Sequence, residues 1–272
     1  MNALILAAGF GTRLKPWTSE HPKALVPVGG EPMLKRVISR LVENGFDNIA
    51  VNIHHFGSQI IDFLDKEEFD ANIIISDERA KILDTGGGLL AASRILFKNN
   101  RESILVHNVD ILSNADLKSL MEFHVREGND ITLLTSGRES SRKLAFTSEG
   151  ELTGWHNLVS GELRPEKYVR LKERKETGNI EEHSFSGIYV VGERAVDSLC
   201  RYAETIGSDA FPIMDFFLHE CKKEKSRLKI REKYSSDLDL IDIGKPETLD
   251  AANRRLDTVI GDGGNIGGDD LH

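Results

Sequence analysis

A chain of 272 residues, 39% of them hydrophobic and 29% charged, is long enough to bury a sizeable core, as one large α/β domain or two small ones. A formal net charge of −9 argues against a nucleic-acid binder, which would show a basic face, so attraction for any anionic ligand has to come from local cations. Two cysteines without metal-ligand spacing, Cys200 and Cys221, fit a reducing compartment, and no stretch approaches the ~20 apolar residues that spanning a membrane requires. With no basic leader before the short N-terminal apolar run, a soluble cytoplasmic protein with no membrane partner is expected.

Ala3 to Leu6 is an apolar run that reads as a short buried strand. It passes into Leu6-Ala7-Ala8-Gly9-Phe10-Gly11-Thr12-Arg13, where small residues and two glycines let backbone N–H groups approach a ligand and a cation follows the turn. Strand, glycine loop and cation together make an anion cradle. The stretch is not a dinucleotide fingerprint, because the third glycine would fall at Leu14, and no Gly-Lys-Ser/Thr follows as a Walker loop requires.

Pro32 suits the first turn of a helix, Leu34, Val37, Ile38, Leu41 and Val42 recur at helical spacing, and Asn44-Gly45 closes it. Strands are predicted at Asn48 to Ile53, Ile73 to Ile75, Ser103 to Val106 and Ile131 to Leu134. Helices are predicted at Phe56 to Leu64, Leu89 to Phe97 and Ala115 to Arg126. This alternation predicts a mainly parallel sheet covered on both faces. From about Gly137 the rhythm changes to short polar segments around Leu152 to Trp155 and Tyr168 to Leu171, which read as hairpins and loops rather than a second core. Ser184 to Val191, Leu228 to Ile230 and Leu238 to Asp242 return to strand character. Glu193 to Tyr202, Pro212 to Lys222 and Pro246 to Ile260 read as helices.

The full opening string, Leu6-Ala-Ala-Gly-x-Gly-Thr-Arg-Leu-x-Pro16 with Thr18, Pro22-Lys23 and Pro27-Val28, closely resembles the signature of the sugar-1-phosphate nucleotidylyltransferases. The resemblance spans roughly residues 1–260, is strong before Asp110 and thin from 137 to 180. It implies a Rossmann-like α/β/α sandwich with a mainly parallel mixed sheet, of the glycosyltransferase-A-like nucleotidyltransferase type. It also implies that a nucleoside triphosphate and a sugar 1-phosphate are joined, with release of pyrophosphate. In such a chain Leu6, Ala7, Ala8, Gly9, Gly11 and Thr12 would hold the triphosphate, Arg13 its outer phosphates and Lys23 the reacting phosphate. Fixed cations are what a transferring phosphoryl group needs where charge accumulates.

Asp84-Thr85-Gly86-Gly87-Gly88 opens a helix after a loop. By the resemblance Thr85, Gly86 and Gly87 line the base pocket, in a form most like the N-acetylmuramate-1-phosphate uridylyltransferases. Ile104 to Ile111 reads as a strand ending in a carboxylate, where the family places a Mg²⁺-binding aspartate, here Asp110. Val109 stands where a glycine is usual, and a branched side chain there would crowd the sugar phosphate. Asp242-Ile-Gly244 matches the family's second Mg²⁺ ligand, with Lys245 in place of threonine. Two hard oxygen ligands suit Mg²⁺, which keeps waters and phosphates in its remaining positions. If the strands ending at Asp110 and Asp242 run side by side with the same edge forward, both carboxylates reach the loop of Gly9 to Arg13.

On the sugar side the resemblance carries over Asn108 and Gly187. Trp155, which could stack on a sugar, reads more readily as packing under a loop. Glu173 with Lys175 matches only part of a family pair, because the following proline is missing. The Asp237-x-Asp239 pair has many equally good acidic rivals, and His54, His55 and His107 have no partner pattern. Uridylyl transfer to an N-acetylated sugar 1-phosphate leads. Guanylyl transfer to mannose or heptose 1-phosphate and cytidylyl transfer to phosphocholine are the alternatives, and a non-catalytic nucleotide-sugar sensor is the rival of a different class. Residues 1–260 are expected to form one domain, with a nucleotide-binding half at 1–136 and a sugar-binding half at 137–260; a homo-oligomer is left open.

The last stretch, 261–272, holds five glycines and three aspartates and has too little apolar surface to fold, so a mobile tail is expected. Removing it should leave the melting temperature and the turnover unchanged; a truncated chain that unfolds or loses activity would show that the tail docks.

Overall fold

The computed structural model describes residues 1–98, 101–173, 180–223 and 228–262. β1 (Asn2–Leu6) leads into the glycine loop, which continues through single 3-10 turns at Thr12–Leu14, Trp17–Ser19 and Lys23–Leu25. A small hairpin of β2 (Pro27–Val28) and β3 (Glu31–Pro32) hands the chain to α1 (Met33–Glu43). Alternation then follows through β4 (Asn48–Ile53), α2 (Gly57–Leu64), β5 (Asn72–Asp77), α3 (Asp84–Leu96) and β6 (Ile104–Asn108). Next come β7 (Ile111–Ser113), α4 (Leu117–Glu127) and β8 (Ile131–Ser136).

The second part opens with β9 (Arg142–Thr147), β10 (Leu152–Asn157) and β11 (Leu163–Arg164), an antiparallel set, followed by α5 (Glu166–Glu173). β12 (Ile180–Val191), α6 (Glu193–Ile206), α7 (Ile213–Lys222), β13 (Ile230–Tyr234), β14 (Leu240–Asp242) and α8 (Pro246–Asp262) complete it.

One sheet carries the order β11-β10-β9-β12-β6-β1-β4-β5, with β8 also on β12 and β13 on β8. β6, β1, β4 and β5 are parallel, as their helical crossovers require. β12 runs antiparallel to β6, β8 and β9, which makes it the seam between the two parts. Alternation along the strands sorts side chains to two apolar layers. Ile5, Val51 and Leu105 join Leu34, Ile38 and Leu41 of α1 on one face, while Leu4, Ala50 and Val106 join Leu89 of α3, Leu199 of α6 and Phe217 of α7 on the other. Helices on both faces of a mixed sheet make the α/β/α sandwich that the alternation predicts.

Three differences from the sequence reading have clear causes. First, α3 begins at Asp84, where the Asp84-Thr-Gly-Gly-Gly88 string is read as opening a helix but five residues before the periodic stretch from Leu89, because its three glycines are helical: they let the helix lie directly on the 209–211 segment. An ideal Cβ on Gly86 would stand 2.4 Å from the Phe211 ring, and one on Gly87 2.0 Å from the Asp209 carbonyl oxygen. Second, Tyr168 to Leu171 is not loop but α5, and Tyr168 is fully buried. Its ring fills the space above Gly154, where a Cβ would be 2.4 Å away, and its hydroxyl donates to Glu182. One apolar turn amid Lys, Arg and Glu leaves little periodic signal. Third, β14 pairs antiparallel with β7, not side by side with β6. The last helix runs to Asp262, so the expected tail loses its first two residues to it; 263–272 lie outside the described residues.

Substituting Gly87→Ala should destabilise the fold by at least about 2 kcal/mol in a denaturant titration, since the backbone it meets cannot rotate away. A second expectation concerns His124 on α4, which is buried against the Thr132 hydroxyl at 3.0 Å and whose pKa burial pushes down to about 4. The native state therefore holds it neutral while the unfolded chain takes up a proton. Its contribution is complete above pH ~6.5 and is lost as pH falls from there toward about 4. His124→Gln should flatten the stability-against-pH curve across that window; an unchanged slope would contradict the assignment.

Candidate active site

β1, β4 and β6 are parallel neighbours, so their carboxyl ends open on one edge, the place where open α/β sheets bind ligands. The glycine loop leaves β1 there. Its first two donors are turned inward: the N–H groups of Ala7 and Ala8 donate to the Asn52 Oδ1 at 2.6 and 3.2 Å. Asn52 Nδ2 in turn donates to Glu78 Oε1 at 2.8 Å, and Glu78 Oε2 accepts the Leu83 N–H at 3.1 Å. Both side chains are buried, and burial raises the Glu78 pKa. Gly88 makes room for this relay, since an ideal Cβ would lie 2.8 Å from both Asn52 Nδ2 and Glu78 Oε1. The expectation that Ala7 and Ala8 offer free N–H groups to a ligand is therefore corrected: Asn52 already holds them. Leu6 lies within β1, and its carbonyl accepts the N–H of Val109.

What stays open is the loop from Gly9 onward. Gly9 is exposed, and an ideal Cβ on it meets nothing within 4 Å. Gly11 has φ +61°, accepts the Thr18 hydroxyl on its carbonyl at 2.9 Å, and lies so close to the Lys23 stem that a Cβ would be 2.8 Å from Lys23 Cβ. The loop is thus laid directly over the lysine. Thr12 and Arg13 begin the turn beyond it.

The Lys23 ammonium is in contact with Asp110 Oδ2, with both side chains largely shielded from solvent. Asp110 sits just past β6, and the chain continues as β7, which the antiparallel pairing ties to β14 with Asp242 opposite Ile111. The N–H of Ile243 donates to the Asp110 carbonyl at 2.9 Å, and Asp242 Oδ1 accepts the Gly244 N–H at 2.8 Å. An ideal Cβ at Gly244 would lie 2.6 Å from Arg13 Nη2, 2.7 Å from Asp242 Oδ1 and 3.2 Å from Lys23 Nζ. Arg13, Lys23, Asp110 and Asp242 are therefore gathered around one glycine. Val109, expected to crowd the site, is buried in the core instead, so its side chain leaves the site free.

Asn108 and Gly187 also meet. Gly187 has φ +80°, and a Cβ there would be 2.7 Å from Asn108 Nδ2, at the point where the pairing of β12 with β8 shifts register. Thr85, Gly86 and Gly87 stand differently. The Thr85 hydroxyl accepts the Ile213 N–H at 2.9 Å, and the Phe211 carbonyl accepts the N–H of Gly86 at 2.9 Å and of Gly87 at 3.4 Å. These three residues bind the 211–213 segment, so they present no free pair of main-chain donors.

Other residues are accounted for by local packing. Trp155 carries the Arg164 guanidinium over its ring at 5.2 Å, and Asp239 pairs with Arg255 while Asp237 accepts from Ser235. Glu173 is exposed at the end of α5, and Lys175 lies outside the described residues. His107 is buried with its pKa pushed to about 4, and His54 Nδ1 lies 2.7 Å from the Glu78 carbonyl. His55 lies 4.1 Å from the ring of Phe56 and 5.3 Å from that of Phe10. Sequence reasoning missed Asn52 and Glu78; the signal was a polar residue inside the apolar strand Ile49 to Ile53.

Chemically the arrangement offers two cations and two carboxylates beside an open glycine loop. Among the described residues no three His, Cys, Asp or Glu side chains gather into a ready cage. Two carboxylates of hard oxygen are the donor set of an ion that completes its shell from phosphates and water, as Mg²⁺ does. No helix among the described residues is long and apolar enough to cross a membrane.

The chain is 30% identical over 195 residues to an N-acetylmuramate alpha-1-phosphate uridylyltransferase of Caulobacter vibrioides, a match covering 69% of this chain and 74% of that protein. It is also 30% identical over 213 residues to mannose-1-phosphate guanylyltransferase 1 of Arabidopsis thaliana, covering 78% of this chain but only 55% of the plant protein. The fold is shared with HddC from Yersinia pseudotuberculosis, solved with GMP-PN, at a TM-score of 0.68, 20% identity and 94% and 99% coverage of the two chains. The family model for nucleotidyl transferases matches residues 2–258, and this chain belongs to that family, the one whose sugar-1-phosphate nucleotidylyltransferases its opening signature resembles.

Proposed function

We propose that the chain joins a nucleoside triphosphate to a sugar 1-phosphate, releasing pyrophosphate. The observation that carries this reading is the gathering of Arg13, Lys23, Asp110 and Asp242 around Gly244 beside an open glycine loop. An ionised oxygen of the sugar phosphate attacks the α-phosphorus in line; the bond to the β-phosphate oxygen breaks and pyrophosphate leaves with that electron pair. The nucleophile arrives already ionised, so no protein base is required. Arg13 meets the outer phosphates and Lys23 the reacting one. Asp110 and Asp242 would hold Mg²⁺, which when bound offsets charge on the α-phosphate. Gly9, Gly11 and Thr12 approach the triphosphate, and Asn108 with Gly187 takes the sugar. Residues 1–260 work as one unit, nucleotide toward 1–136 and sugar toward 137–260.

Uridylyl transfer to an N-acetylated sugar 1-phosphate leads, on the Thr85-Gly-Gly-Gly88 string and the Caulobacter relative, whose match covers most of both chains. Guanylyl transfer to a mannose-type 1-phosphate is the second reading, carried by the plant relative. A panel crossing the four nucleoside triphosphates with N-acetylmuramate, mannose and glucose 1-phosphates, read by pyrophosphate release, tests both. No release from any pair would leave a nucleotide-sugar sensor as the better description.

Two variant series probe the residues. Lys23→Ala should lower kcat by about 10²–10³ while the triphosphate binds within a few-fold of normal, because its charge matters most as the α-phosphate becomes five-coordinate. A near-normal rate would remove Lys23 from the chemistry. Asp110→Asn and Asp242→Asn should each raise the Mg²⁺ concentration for half-maximal rate, and the double change should be far from additive, because both act on one ion. Additive effects would place the two carboxylates in separate roles.

A further inference from the structure

We propose that Arg138 is the cation that receives the phosphate of the sugar 1-phosphate; the inference rests on the reading of the chain as a nucleotidylyltransferase and names a residue that reading does not use. Its place follows from topology. β12 is antiparallel to both β6 and β8, so β8 runs the same way as β6, and its carboxyl end opens on the edge that carries the glycine loop and Asp110. Arg138 lies two residues past that end.

The side chain is half-buried, and burial lowers its pKa, with Asp242 the nearby charge that opposes this. One guanidinium nitrogen, Nη2, donates to the Phe185 carbonyl at 2.9 Å, two residues from Gly187. Its Nε is buried with no hydrogen-bond partner. Among the described residues no carboxylate forms an ion pair with it. A second positive charge stands close by: Lys143 Nζ donates to the Arg138 carbonyl at 2.7 Å and to the Ser184 hydroxyl at 2.7 Å.

A half-buried guanidinium whose Nε is shielded from water with no partner leaves that donor unmet, and its one hydrogen bond among the described residues goes to a neutral carbonyl rather than to a counter-ion. A purely structural clamp on Phe185 would not need a charge at all. Asp242, the carboxylate whose charge reaches Arg138 among the described residues, is committed to a cation in the proposed function, so it does not neutralise the guanidinium there. What fits the remaining donors is an oxyanion with several oxygens, which the planar fork grips in two-pronged fashion. The nucleotide phosphates have Arg13 and Lys23 on the β1 side. Arg138 comes from the β8 side, and its Nη2 holds the carbonyl of Phe185, two residues before the Gly187 that meets Asn108 and that the sugar is proposed to approach. An anion arriving there is the phosphate of the attacking substrate.

The test compares wild type, Arg138→Gln and Arg138→Lys with the triphosphate and sugar 1-phosphate that give the highest rate in the panel, with calorimetric titration of mannose and N-acetylmuramate 1-phosphates alongside. Arg138→Gln should raise KM for the sugar 1-phosphate at least tenfold, with KM for the triphosphate within twofold of normal. Arg138→Lys, which keeps the charge and loses the fork, should fall between. If Arg138→Gln does not fold, the same separation of the two KM values in Arg138→Lys carries the inference. An unchanged sugar-phosphate KM, or equal losses for both substrates, overturns it. Those outcomes are separate from a wild type that releases no pyrophosphate with any pair, which overturns the underlying reading as well.

Discussion

The neutralisation of a shielded ammonium by a carboxylate from a distant strand is the contact on which the site depends. Lys23 and Asp110 sit largely out of solvent, and removing one partner of such a pair typically costs about 3–5 kcal/mol because the other charge is left stranded. Holding them together demands that the loop after β1 and the turn after β6 lie side by side, which the parallel register of those strands provides. Gly11 then lets the glycine loop settle on the lysine stem, and Gly244 clears the space where Arg13 and Asp242 join. A ligand phosphate entering here would meet cations already in position, which is how preorganised charge lowers a barrier.

Behind that front the chain uses its buried polar groups as a backing plate. Asn52 satisfies the two loop donors that would otherwise wander, and Glu78 satisfies Asn52 and the N–H of Leu83. Asn52 is engaged three times and the Glu78 carboxylate twice, which is what makes a buried polar chain rigid rather than costly. A comparable saturated cluster stiffens the β9–β12 region. Burial alone would raise the pKa of Glu182, yet donors from Lys172, Tyr168 and His156 bring it down to about 2.

Much of this is legible from residues alone. The glycine loop, Lys23, and the strands ending at Asn108 and Asp242 carry local signals: apolar runs, turn residues and a motif of fixed spacing. The convergence of Asp110 and Asp242 can be expected from sequence but its means cannot, because a three-residue strand such as β7 has no periodicity to read and its pairing with β14 is non-local. α5 is hidden for a related reason, since a single buried aromatic among charges gives no helical stripe. The glycines of α3, taken by themselves, suggest a surface that faces a ligand. Their actual neighbours, Asp209 and Phe211, come from far along the chain, and no window of sequence contains that contact.

The short β7–β14 ribbon has a consequence for biosynthesis. Translation adds residues in order, and domains assemble as their segments emerge. A nascent chain that has delivered everything through β8 already possesses the glycine loop, Lys23 and Asp110, yet lacks the strand that brings Asp242 and Gly244. Arg13 and Lys23 then face one carboxylate instead of two. The ribosome must make more than a hundred further residues before the charge balance is complete, so the glycine loop waits on a strand that emerges long after it.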